Sequence, residues 1–342
     1  MDLSKEDKRG AILVTGGRGF IGAHLVRLLS CQGRDVVSVD ISGVVVSQVV
    51  PGVHEVVADV RDRTAIAALL KIHRVDTVFD LASFTEAGLN ELAYRRNLDQ
   101  TCSMVDCIKD SAVRRYIFFS TQFVFRSANI LPKSDEDYAP SEEYGASKVK
   151  SEKHIRQSLP AGQWLIVRPS YVWGPGLARF RDGLLSRLAK GQLMIPCDRS
   201  IRRYYGYVGT VIRQAQALSE IPSENLAYSV YYLSDDAIHL SELCHALIDA
   251  METGRAVQVH ATLIKFFGVV GDFLLRAGIK APISSLQAKE LTTNYPIPID
   301  RTLGLVREGV GLVEAARETV NWALSDISFS EAVRRGRLFR KK

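Results

Sequence analysis

Tyr144 and Lys148, in the stretch EEYGASKVKSEKHI, stand four residues apart. On a helix that spacing puts both on one face, where an ammonium lowers a phenol's pKa from about 10 toward a value useful at neutral pH. A phenolate so poised takes the proton from an alcohol whose carbon gives up a hydride. Tyr-x-x-x-Lys by itself is a frequent accident. Its weight comes from its place after a strand-like run that ends in FFSTQFVF, where Thr121 presents a hydroxyl to the same substrate oxygen.

A hydride needs an acceptor, and LVTGGRGFIGAHLVRLL, residues 13–29, offers a place for one. Gly16 permits a tight turn, Gly19 lets the backbone approach a pyrophosphate, and Gly22 allows close packing of helix on strand. The helix that follows adds free N–H groups and a partial positive charge. The next strand ends in Asp40, whose carboxylate accepts both ribose hydroxyls of NAD and repels the 2′-phosphate of NADP. Arg18 inside the loop is the argument for NADP, since a guanidinium pairs with such a phosphate. The balance favours NAD. Asp59, in VVADVRD, is placed either to reach the adenine amino group or to cap a turn.

The elements that must position these groups follow an α/β pattern. Strands are expected at residues 11–15, 35–40, 55–58, 77–81, 115–121 and 164–168, with helices at 21–31, 65–71 and 98–109 between them. Alternation of this kind implies a Rossmann-type doubly wound parallel sheet over residues 1–170. Beyond Tyr171 the rhythm loosens. WGPG reads as a turn, 180–190 as a helix, 228–233 and 240–251 as a strand and helix, and the proline-bearing 283–301 as extended or looped. Residues 226–260 are expected to rejoin the main sheet. Residues 171–225 and 261–330 then form a smaller C-terminal α/β substrate lobe, and 331–342 a basic tail.

The 342-residue chain is 46% hydrophobic and 24% charged, as ordinary soluble proteins are. No apolar run reaches the ~18–20 residues of a bilayer span, and no leader pattern precedes the first strand, so the cytoplasm is the expected location. Five cysteines without a Cys-x-x-Cys pair argue against a disulfide framework and against a metal site. The net charge of +6 comes from Arg334, Arg335, Arg337, Arg340, Lys341 and Lys342, with no acid among them. The rest of the chain is balanced, which leaves the tail as a solvated terminus or a site for an anionic surface, and makes nucleic acid an unexpected partner.

TGGRGFIG, Asp40, ADVRD, VFDLAS, FFSTQFVF, YGASK and VRPSYVWGPG occur in order and at characteristic intervals. Together they resemble the extended short-chain dehydrogenase/reductases, in particular the NAD-dependent epimerase/dehydratase family acting on nucleotide sugars. The resemblance covers residues 10–335, more specifically in the N-terminal half. It implies Tyr144 as catalytic base, Lys148 as its electrostatic partner and ligand of the nicotinamide ribose, and Thr121 as the third member. The cofactor site it implies comprises Gly16, Gly19, Phe20, Ile21, Gly22, Asp40, Asp59, Val60, Leu81, Ala82, Ser83 and Lys148. Thr121, Tyr171 and Arg203 fall to the substrate, with Arg203 of RRYYGYV on its diphosphate.

Departures from the family pattern are informative. Family 4,6-dehydratases carry an Asp-Glu pair directly after the threonine, whereas Gln122 and Phe123 stand here and cannot serve that elimination. Tyr171 lies where many epimerases have asparagine, and Gly209 where they have aspartate. The end of the chain also resembles the 3β-hydroxysteroid dehydrogenase branch. The leading expectation is an NAD-dependent epimerase inverting a sugar hydroxyl, at C4, in polysaccharide biosynthesis. Its alternatives are a one-way dehydrogenase on a sugar or sterol-like alcohol, and a catalytically silent dinucleotide-binding protein. Family habit further implies a homodimer through helices at 98–109 and 147–157, although Met104, Val105 and Ile108 fit a core equally well.

Overall fold

The structure, a computed structural model, describes residues 10–42, 50–85, 91–279, 281, 283–307 and 309–340. Its first half contains β1 (Ala11–Thr15), α1 (Phe20–Cys31), β2 (Val36–Asp40), β3 (Val53–Val57), α2 (Arg63–Ile72), β4 (Val75–Asp80), α3 (Glu91–Lys109), β5 (Arg115–Phe119), α4 (Glu143–Ser158) and β6 (Trp164–Pro169). All six expected strands and all three expected helices are present, with ends displaced by a few residues. α3 starts seven residues earlier than its apolar spacing suggested, because its first turns are mostly polar.

Beyond Pro169 come β7 (Tyr171–Trp173), β8 (Leu193–Pro196), β9 (Arg202–Tyr207), β10 (Val230–Leu233), β11 (Ala237–His239) and β12 (Ala256–Val259). A seven-stranded sheet runs in the order β10-β6-β5-β4-β1-β2-β3, every pairing parallel. This is the doubly wound arrangement, with β10 at the edge beside β6. Parallel strands covered on both sides must be apolar on both sides. Ile12, Val14, Ile117, Phe119, Leu165 and Val167 accordingly pack into one buried layer, and Ala11, Leu13, Tyr116, Phe118 and Ile166 into the other. Met104, Val105 and Ile108 are fully buried in the second layer and so belong to the core.

Smaller sheets follow, β11-β9-β7 and β12-β8. The helices of this region are α5 (Ala178–Phe180), α6 (Ser186–Ala189), α7 (Val208–Glu220), α8 (Leu240–Met251), α9 (Ala261–Arg276), α10 (Ser285–Leu291), α11 (Asp300–Leu303), α12 (Leu312–Ala323) and α13 (Ile327–Arg340). Two expectations need correcting. The helix at 180–190 is broken by a π turn over Arg181–Leu185. The stretch 283–301 is not loop throughout, since α10 lies within it and α11 begins at Asp300. A capping box starts α10: the Ser284 hydroxyl accepts from Gln287 N at 3.3 Å and Ser284 N donates to the Gln287 side chain at 3.1 Å. Ser-x-x-Gln was readable, but the neighbouring prolines dominated the reading. Residues 331–340 of the basic tail continue α13.

Candidate active site

The glycine loop joins β1 to α1. Gly16 has φ +63°, and a Cβ there would stand 3.0 Å from the backbone of Leu81 and Ala82. A Cβ on Gly22 would run into the Gly16 carbonyl oxygen, so α1 packs directly on the loop. Gly19 is the N-cap of α1 and brings no side chain to cap it, which leaves the helix's first N–H groups for a ligand. A second glycine turn closes on the first: His24 of α1 lies 2.8 Å from the Pro175 carbonyl oxygen within WGPG.

Asp40 sits at the end of β2 facing this loop. Its Oδ2 accepts from Arg18 N at 3.1 Å and its Oδ1 from Ser42 N at 3.0 Å. The Arg18 guanidinium is engaged by Glu55 of β3, 3.0 Å away. That ion pair answers the argument for NADP, because a carboxylate already neutralises the charge that a 2′-phosphate would need. The loop, the uncapped helix and Asp40 together fit a dinucleotide of the NAD type.

Asp59 belongs to its turn. It accepts from Arg61 N at 2.9 Å and pairs with the Arg61 guanidinium at 2.5 Å, and the side-chain hydrogen bond to Arg61 holds its pKa below the usual carboxylate range. These are the bonds of a turn-capping aspartate. The Val60 side chain points into the core and only its backbone remains for a cofactor. Leu81 N and Ala82 N both lie 3.1 Å from the Thr15 hydroxyl oxygen, which itself donates to the buried Asp80 at 2.6 Å. Thr15 thus pins the end of β4 against the glycine loop.

Ser83 lies near enough to Tyr144 to act on the phenol, and its hydroxyl donates to Asn97 Oδ1 at 3.2 Å. One expectation is overturned here. Lys148 does not lower the Tyr144 pKa: burial pushes the phenol up to about 12, against smaller opposing effects of Ser83 and Arg179. The Lys148 ammonium points elsewhere, donating to the Phe119 carbonyl at 2.8 Å, 4.6 Å from the centre of the Phe118 ring. Burial brings its pKa down to about 8, while Asp80 and Glu152 hold it up. Helical spacing brought the two residues to one element but did not decide where a four-carbon side chain ends. Thr121 is buried, and its hydroxyl oxygen accepts from Phe123 N at 3.3 Å at the start of a short 3₁₀ turn, Gln122–Val124.

Tyr171 and Arg203 meet within a cluster that sequence reasoning did not anticipate. The Tyr171 hydroxyl receives Arg126 at 2.7 Å and Arg203 at 3.2 Å, and donates to Glu290 of α10 at 3.0 Å. Glu290 is ion-paired with Arg126 and lies 3.7 Å from Arg203. The Tyr295 ring stacks under both guanidiniums, at 4.3 and 5.4 Å. Phe123, edge-on to Tyr171 at 5.5 Å, ties the cluster to Thr121. Both arginines are over nine-tenths buried, and the Nη2 of Arg203 has no partner among the described residues. Arg126 directly follows FFSTQFVF, which was a usable signal; nothing local marked Glu290 or Tyr295.

The sequence model of the NAD dependent epimerase/dehydratase family matches residues 12–233. The chain is 24% identical over 267 residues to a 3 beta-hydroxysteroid dehydrogenase/Delta 5-->4-isomerase of Mycobacterium tuberculosis, covering 73% of this chain and 71% of that protein. It is 27% identical over 200 residues to a UDP-glucose 4-epimerase of Azospirillum brasilense, covering 56% and 57%. Among solved structures, MoeE5 in complex with UDP-glucuronic acid and NAD superposes with a TM-score of 0.68 at 20% identity, covering 92% of this chain and 99% of that one.

Proposed function

Starting from a chain that belongs to the NAD dependent epimerase/dehydratase family, we propose that it is an epimerase of nucleotide sugars, acting at a sugar hydroxyl such as that on C4. The observation that carries the choice of substrate is the buried pair Arg126 and Arg203 beside Tyr171. A sterol or other lipid alcohol offers nothing to two buried guanidiniums, whereas a diphosphate accepts from both. NAD, held by the glycine loop and Asp40, would supply reversible hydride transfer. The residues of the chain do the rest. Tyr144 takes and returns the hydroxyl proton, and Thr121 orients the hydroxyl. Gln122 is buried and Phe123 packs on Tyr171, so neither supports a dehydratase's second acid and base. Pairing of two copies through α3 and α4 belongs to the same reading.

The test has two parts. Denatured protein is expected to release NAD without NADP, and intact protein supplied with NAD⁺ to convert a UDP-, GDP- or dTDP-hexose to its epimer by NMR. If every such sugar stays unchanged, the epimerase reading fails. A net absorbance change at the nicotinamide band with an alcohol points instead to the one-way dehydrogenase.

Glu290 and a diphosphate compete, on this reading, for the same guanidiniums. Glu290→Gln is therefore expected to lower the KM for the nucleotide sugar about threefold to tenfold with kcat nearly unchanged. A raised KM in steady-state assays would instead make Glu290 the residue that holds the arginines in register.

A further inference from the structure

Helix α9 is amphipathic in the inverse sense to a helix built to cover a core. Its buried residues are Ile264, Gly268 and Gly271, and most of its other large side chains face outward. A Cβ on Gly268 would stand 2.7 Å from the Ala288 Cβ, and one on Gly271 would strike the Ile283 carbonyl oxygen, so the glycines let α9 lie flush against α10. Leu263, Phe266, Phe267, Val270 and Phe273 recur at intervals of three and four residues, which places them in one stripe along the helix. All five are exposed, Phe266 by 60% and Phe273 by 66%, and Leu286 of α10 is 62% exposed. A contiguous apolar surface of this kind needs a partner.

Charge decides which partner. The acids of α9 and α10 are turned to internal bonds: Asp272 accepts from Ser285 N at 3.0 Å and from the Ser285 hydroxyl, and Glu290 pairs with Arg126. The cations Lys265, Arg276 and Lys289 are exposed. An apolar stripe whose neighbouring cations are exposed and whose acids are held in bonds to Ser285 and Arg126 complements an anionic lipid surface. It disfavours a second copy of itself, since the exposed charges of α9, Lys265 and Arg276, carry one sign. No helix among the described residues is long and apolar enough to cross a membrane, so insertion would be limited to the interface. We propose that α9 is a membrane-surface helix that lays its Leu263–Phe273 face into an anionic bilayer. This inference does not depend on the epimerase reading.

The test is flotation of the full-length protein with phosphatidylcholine vesicles, with and without phosphatidylglycerol. The protein is expected to float with the anionic vesicles and about tenfold less with the neutral ones, an advantage that salt reduces. Phe266→Ser/Phe273→Ser should lower anionic-vesicle binding at least about tenfold, with circular dichroism and thermal midpoint unchanged because both rings are exposed. Failure of the unaltered protein to float with either vesicle overturns the proposal, as does binding that the double substitution leaves intact. Light scattering that shows an oligomer abolished by the same substitutions, without vesicle binding, would assign the face to a second copy.

Discussion

Tyr144→Phe is expected to cut turnover by at least about a thousandfold while leaving NAD affinity within about twofold, as general acid–base groups contribute roughly 10²–10⁴. The substitution removes one oxygen, leaves the ring beside Tyr94 at 5.9 Å, and touches neither the glycine loop nor Asp40. Steady-state turnover of a nucleotide sugar, with NADH binding followed by fluorescence, separates the two effects. Retained turnover would remove Tyr144 from the chemistry. Loss of NADH binding would make it a structural residue. The pH profile sharpens the test. Because burial lifts the phenol to about 12, it is protonated at neutral pH, and a reaction that needs the phenolate accelerates as pH rises. Lys148, lowered to about 8 by burial, keeps its charge below that pH and loses it above. The unaltered enzyme should therefore show a rate increase with pH that runs through the neutral range. The phenylalanine variant should lack it.

How far the sequence reached depended on the range of each interaction. The strands of the main sheet were legible because each is a short apolar run between turn signals, and β10 because 228–233 repeats that pattern. The glycine loop was legible because its function is written into its backbone. A Cβ at Gly16 or Gly22 has nowhere to go. Interactions across the fold were not. Arg18 looked available for a phosphate until Glu55, 37 positions away, appeared beside it. Arg126 and Glu290 are separated by 164 positions, and no local spacing connects them. Lys148 and Tyr144 show the converse limit. Their helical register was right, yet the pull of the Phe119 carbonyl and of buried Asp80 directs the ammonium, and both lie on other elements.

Arg168→Met is expected to cost about 3–5 kcal/mol of stability, the range for leaving one member of a buried ion pair unmatched. Arg168 and Glu152 are both fully buried. The guanidinium meets the carboxylate with two parallel bonds, at 2.9 and 2.6 Å. Burial pulls the Arg168 pKa down, but Glu152 outweighs it and holds the guanidinium above its usual value. The pair is also a junction. Glu152 accepts from Ser120 at 2.5 Å and from Tyr138 at 2.9 Å, and Arg168 donates to Tyr232 at 3.0 Å. It thereby locks α4 to the ends of β5, β6 and β10. Lys148 lies one helical turn before Glu152, and Tyr144 two turns before, so the same bonds set the position of both. Urea denaturation should show the loss as a lower midpoint at an unchanged slope. Adding Glu152→Leu to Arg168→Met should restore part of the stability, since the unmatched charge is then gone. Turnover should stay low in the double variant, because α4 is no longer tied to the strand ends that carry Ser120 and Thr121. Full recovery of turnover together with stability would show that the pair serves folding alone and that packing, not this junction, places Tyr144.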